Sequence, residues 1–260
     1  MEYIEKFFEY EIEKDENGES NWKNNKYLSA IKKAYDDTKR TFSKINSHAD
    51  IDSFWKELIE EIKIKEVCEN GNITSLDKFD EAHRKMCTKV LEMFREKRQY
   101  VSITYGQAQK IINMAFKYLY AYDSIKGKTK NIYKYCHMPL DKYTLAWYRR
   151  VKEKMKEKMR EKEKEYYLVE SNFAWSKKID ATKEGYENYL KIQNGIRLCL
   201  GEEVLKKEFE IWDREKQIDT LSVIIKSINN LKEIKTLKEN VPALEQIKKN
   251  LETDNVNLCK

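Results

Sequence analysis

Apolar positions along this chain recur three and four apart in one segment after another, which is the period of a helix buried on one face. Phe54, Trp55, Leu58, Ile59 and Ile62 form one such stripe, with Asp52 or Ser53 placed to cap it. A second helix is predicted from about Asp77 through Met86, Val90, Leu91 and Phe94, after a turn-rich break at Cys68–Ser75. Tyr186, Tyr189, Leu190, Gln193 and Ile196 define another, following Glu184-Gly185. Near the end, Leu221, Ile224, Ile225, Ile228, Leu231, Ile234 and Leu237 repeat at the same spacing, and Pro242 is placed to open a last helix carrying Leu244, Ile247 and Leu251. Strand-like alternation is confined to the short Tyr100–Tyr105 stretch. The expected fold is mainly α: a helical body over residues 1–215, with a motif core at 101–148 and a charged helix at 149–165, and C-terminal amphipathic helices over 216–260. Those last helices suit a hairpin on the body, a partner's groove or self-association.

Composition narrows this further. Seven Gly and two Pro in 260 residues leave few obligatory turns, and 40% hydrophobic residues beside 37% charged ones supply a core and a solvated surface together. No apolar run approaches the roughly 18 residues that cross a bilayer, so a soluble cytoplasmic protein without a membrane partner is expected. Five scattered cysteines, an odd number with no Cys-x-x-Cys pair, argue against a disulfide framework or a zinc ribbon. Asp80, His83 and Cys87 share a helical face but lack an evident fourth ligand, and no cofactor motif is present. With three histidines and no His-x-x-x-His, metal-dependent hydrolysis has little support.

The net charge of +6 is uneven. Val101–Glu165 holds 16 Lys/Arg against 7 Asp/Glu, a local +9 that leaves −3 elsewhere. A localised basic region suits a phosphate backbone, so DNA or RNA is the expected partner, although the lysine-rich composition also fits a plain solvated surface. Val151, Met155 and Met159 are the sole apolar positions of Arg149–Glu165, a stripe so narrow that it predicts a long, largely solvated helix.

The stretch richest in chemistry is Ile103–Tyr120. Gly106 permits a tight entry, and Ala108, Ile111, Ile112, Ala115, Leu119 and Tyr122 then share a core face. Lys110, Asn113 and Lys117 fall on a different face, with Lys117 expected to meet water. A neighbouring cation and partial burial are one way to lower a lysine pKa and leave its amine neutral and nucleophilic. Downstream, the basic loop Ser124–Lys130 leads to Cys136-His137-Met138-Pro139-Leu140-Asp141, where Asp141 directly precedes a helix and is a strong N-cap candidate. The same carboxylate is suited to stabilise a developing cation.

A lysine on a core helix, a basic loop and then Pro-x-Asp at the next helix start resemble the helix–hairpin–helix DNA glycosylase superfamily, especially its archaeal 8-oxoguanine branch. The resemblance covers about Ser102–Tyr148. It implies that Lys110 attacks the sugar C1′ as the damaged base leaves and that Asp141 assists. The Leu-Pro-Gly-x-Gly hairpin and the four-cysteine cluster of some relatives are absent here. For an extruded base, Gln107, Asn113 and His137 are candidate hydrogen-bonding groups, Lys117 is a further substrate contact, and Tyr135 and Trp175 are candidate stacking rings. The competing expectation is a non-catalytic helical binding protein, a regulator or a mobile-element or phage protein acting on a host nucleic acid or protein.

Overall fold

A computed structural model describes residues 3–5, 22–42, 51–97, 102–158, 183–230 and 240–259. Among these residues the fold is mainly α, with no strand. The long elements are α1 (Trp22–Thr38), α2 (Ile51–Ile62), α3 (Ile64–Glu69), α4 (Leu76–Lys97), α5 (Tyr105–Ile125), α6 (Lys142–Lys158), α7 (Lys183–Leu200), α8 (Val204–Asn230) and α9 (Val241–Val256). Short 3₁₀ turns occupy Lys39–Thr41, Asn131–Tyr135 and Gly201–Glu203.

The predicted stripes of α2, α4, α5 and α7 enter the core, whereas the described C-terminal stripe positions stay partly or fully exposed. Phe54, Trp55, Leu58 and Ile62 of α2 are buried with Met86, Val90, Leu91 and Phe94 of α4, so Trp55 is a packing residue. Phe94 meets Phe54 edge-on and stacks on Phe42, geometry that suits the aromatic quadrupole. The break after α3 starts at Asn70, two residues later than expected, because Cys68 is still helical and buried. Pro242 lies in the first turn of α9, as its missing N–H favours. That helix packs against α8 and docks on α6 through the Trp147 indole, which donates to the Asn255 carbonyl at 3.0 Å. The described part of α8 ends at Asn230, and the predicted positions Leu231, Ile234 and Leu237 lie outside the described residues, as do 159–165 of the charged helix.

One disulfide is present, short of the framework that the scattered cysteines argue against. Cys199 at the end of α7 and Cys259 beyond α9 form a disulfide across 60 residues, while Cys68, Cys87 and Cys136 are buried free thiols. Spacing could not reveal the pair, because the return of the C-terminal helix onto the body is what brings the two sulfurs together.

The central element is α5, which is buried on every side from Tyr105 to Leu119. Its entry does not rest on Gly106. Thr104 accepts from the Gln107 N–H at 3.2 Å while the Gln107 side chain accepts from the Thr104 N–H at 3.0 Å, a reciprocal capping box. The Gly106 carbonyl accepts from the Gln109 amide at 2.8 Å within the first turn.

Candidate functional site

Because neighbouring helices surround α5, its polar residues are enclosed along with its apolar ones. Lys110 is 3% exposed and Lys117 is 1% exposed, so the expectation that Lys117 meets water is wrong. Enclosed cations need counter-charges, and two later elements supply them. The Lys110 Nζ faces Asp141 Oδ2 at 3.8 Å, and the Lys117 Nζ meets Glu208 Oε2 of α8 at 2.6 Å, above the rings of Phe209 and Trp212.

Asp141 divides its two oxygens between two tasks. Oδ1 accepts from the Tyr143 and Thr144 N–H groups at 2.9 and 3.0 Å, the N-cap geometry expected at the start of α6. Oδ2 remains for Lys110. The Thr144 hydroxyl accepts from the Asp141 N–H at 2.9 Å and donates to the Pro139 carbonyl at 2.8 Å, which fixes the cap against the preceding turn.

Burial lowers the Lys110 pKa, because an enclosed ammonium loses hydration; Asp141 opposes that fall, Arg40 adds to it, Asp37 opposes it, and Lys117 adds to it. A larger share of neutral amine near pH 7 follows, and a neutral amine is the form that attacks a carbon electrophile. Enclosure also restricts access: a substrate atom reaches this pair only by displacing neighbouring side chains.

Beside the pair lies a buried polar chain that runs across three helices, α4, α5 and α7, and the non-helical segment that carries His137. Asn113 donates to the Gln109 side-chain Oε1 at 2.7 Å and to the Tyr189 hydroxyl at 2.9 Å, and its own oxygen lies 2.8 Å from His83 Nε2. Tyr189 lies 2.6 Å from His137 Nδ1, and His137 Nε2 lies 2.8 Å from Asp80. With Nε2–H donating to the Asp80 carboxylate, Nδ1 is left to accept the Tyr189 O–H. Burial and the Arg197 charge push the His137 pKa down to about 4 despite Asp80, and burial holds His83 well below its usual range. Burial raises the Asp80 pKa, but the hydrogen bond and charge of His137, with those of Arg197, outweigh it and hold the carboxyl low.

Asp80 is therefore engaged by His137 and Arg197 and does not join His83 and Cys87 as a ligand set. Among the described residues no group of three or more His, Cys, Asp or Glu side chains converges on one point. Gln107 is held by its capping box and donates to the Thr41 carbonyl at 2.9 Å, and the Tyr135 hydroxyl donates to the Thr74 carbonyl at 2.9 Å. Lys110 and Asp141 are thus brought together, Asn113 and His137 are joined through Tyr189, and Gln107 and Tyr135 are directed to other partners. Trp175 lies outside the described residues.

Tyr189, Gln193, Arg197 and Glu208 had no place in the sequence-based site. The helical spacing places Gln193 in a stripe and no more, yet its side chain is fully buried and bonded to the segment that leads to Asp141. No family model, curated protein or solved structure matches the chain.

Proposed function

We propose that this is a nucleic-acid-acting enzyme whose nucleophile is the Lys110 amine, most concretely a base-excising DNA glycosylase with lyase activity. The observation that carries the reading is the enclosed Lys110–Asp141 pair at 3.8 Å, with the amine pKa lowered by burial. The Ser102–Tyr148 resemblance and the local +9 of Val101–Glu165 support a nucleic-acid substrate. In the proposed reaction the neutral amine bonds to C1′ of the damaged nucleotide, the C1′–N bond breaks, and the base departs with that electron pair and takes up a proton. Asp141 Oδ2 stabilises the positive charge that develops at the sugar and then on the attached nitrogen. The attached nitrogen gives up its two protons, one of them balanced by protonation of O4′ as the C1′–O4′ bond breaks and the ring opens, which leaves an imine; loss of a C2′ proton then expels the 3′ phosphate by β-elimination and cleaves the strand.

Incision of duplexes carrying an 8-oxoguanine or an abasic site tests this. Strand cleavage by the wild type, lost in Lys110→Ala and reduced in Asp141→Asn, is the expected result. Cleavage unchanged by Lys110→Ala rejects the mechanism.

A second reading, a helical protein that binds a partner without chemistry, draws on a different feature. Val223 of α8 is 60% exposed and Ile224 is also exposed, an apolar strip within residues 216–260 suited to a protein partner or self-association. Salt-dependent DNA or RNA binding without strand or base chemistry favours a nucleic-acid binder, and tight salt-insensitive binding to one protein favours a protein partner.

A further inference from the structure

Tyr189, Gln193 and Arg197 recur every fourth residue along α7 and so line one face of it. All three reach the same stretch of chain. The Arg197 guanidinium donates to the Tyr135 carbonyl at 2.7 Å, Tyr189 bonds the His137 ring, and Gln193 takes both backbone groups of Met138. Its Oε1 accepts the Met138 N–H at 3.0 Å and its Nε2 donates to the Met138 carbonyl at 2.8 Å. Residues 136–140 are fully buried yet belong to no helix or strand, so their backbone groups must find partners elsewhere. This stretch ends at Asp141, with the fixed φ of Pro139 between the Met138 anchor and the cap.

We infer that Gln193 is a positioning residue that holds Asp141 Oδ2 toward Lys110 by clamping the Met138 backbone. The inference rests on the reading of Lys110 and Asp141 as the working pair. An amide matched to both groups of one peptide residue fixes that residue in position and in rotation, and the Thr144–Pro139 bond carries the constraint onward to the cap. The charged groups that face the Lys110 amine are Asp141, Asp37 at the end of α1, Arg40 in the 3₁₀ turn that follows it, Lys117 on α5 itself, and Glu208 on α8.

The test is a double-variant cycle read as the titration midpoint of the Lys110 amine. Trace acetic anhydride is applied to the intact protein from about pH 6 to about pH 11, and acylation at Lys110 is quantified by mass spectrometry. Asn at position 141 retains the cap, so Asp141→Asn removes the charge alone and is expected to lower the midpoint by about one pH unit. In a Gln193→Met background that shift is expected to fall below about half its wild-type size, since the carboxylate no longer dwells beside the amine. An undiminished shift overturns the positioning role, because a purely structural glutamine leaves the Lys110–Asp141 coupling intact. No shift on Asp141→Asn in the wild-type background overturns the underlying pair as well, so the two failures are distinct. Gln193→Glu keeps an acceptor for the Met138 N–H but loses the donor. If Gln193→Met does not fold, Gln193→Glu replaces it, with a shift between those of wild type and full loss supporting the clamp and a wild-type shift overturning it.

Discussion

Lys117 and Glu208 form an ion pair at 2.6 Å with both side chains 1% exposed, linking the central helix α5 to α8. Burial raises the Glu208 pKa and the Lys117 charge opposes that rise. Removing one partner strands a charge or forces it to neutralise, which costs about 3–5 kcal/mol for buried pairs, whereas replacing both with apolar groups of similar volume is often neutral. Lys117→Met is therefore expected to lose about that much in urea unfolding, and Lys117→Met combined with Glu208→Leu is expected to recover most of it. A double variant as unstable as the sum of its singles would contradict this account of the pair.

Acid sensitivity is expected from His137. Its folded pKa of about 4 lies below the unfolded value near 6.5, so between those values the unfolded chain binds more protons. Stability from this group is complete above about pH 6.5 and declines as pH falls toward 4. The shift corresponds to roughly 3 kcal/mol, at about 1.4 kcal/mol per pKa unit. The advantage of the wild type over His137→Asn in denaturant midpoints is expected to shrink by that order from pH 7 to pH 4. A constant advantage would show that the ring is not held neutral.

The Cys199–Cys259 disulfide closes a loop of 60 residues that includes α8 and α9. Loop-closure entropy for that length gives an upper bound of about 4 kcal/mol. Cys259→Ser is expected to lower the thermal midpoint and to expose amides of α9 to hydrogen exchange before those of α5. Equal exchange in the two helices would contradict the anchoring role.

The mainly α fold and some helix starts were legible because those signals are local, whereas Asp52 and Ser53, expected to cap, and Glu184-Gly185, expected to turn, lie inside α2 and α7. Stripes such as Phe54–Ile62, the Pro242 helix start and the Asp141 cap each need only a few adjacent residues. The enclosure of Lys110, Asn113 and Lys117 was not legible, since periodicity assigns polar side chains to solvent unless partners are known. Those partners, Asp141, Tyr189 and Glu208, come from later elements that only the tertiary fold delivers. The Asp80–His83–Cys87 face illustrates the converse: correct helical spacing, but Asp80 is taken by His137 and Arg197 from elsewhere in the chain.

The central claim, that Lys110 is an amine nucleophile toward nucleic acid, is tested most directly by borohydride trapping. Reduction during incubation with abasic-site DNA converts an imine into a stable amine linkage, and peptide mass spectrometry locates the attachment. An adduct on Lys110, abolished in Lys110→Ala and diminished in Asp141→Asn, is the expected result. An adduct spread over exposed lysines, or one unchanged in Lys110→Ala, would contradict the claim.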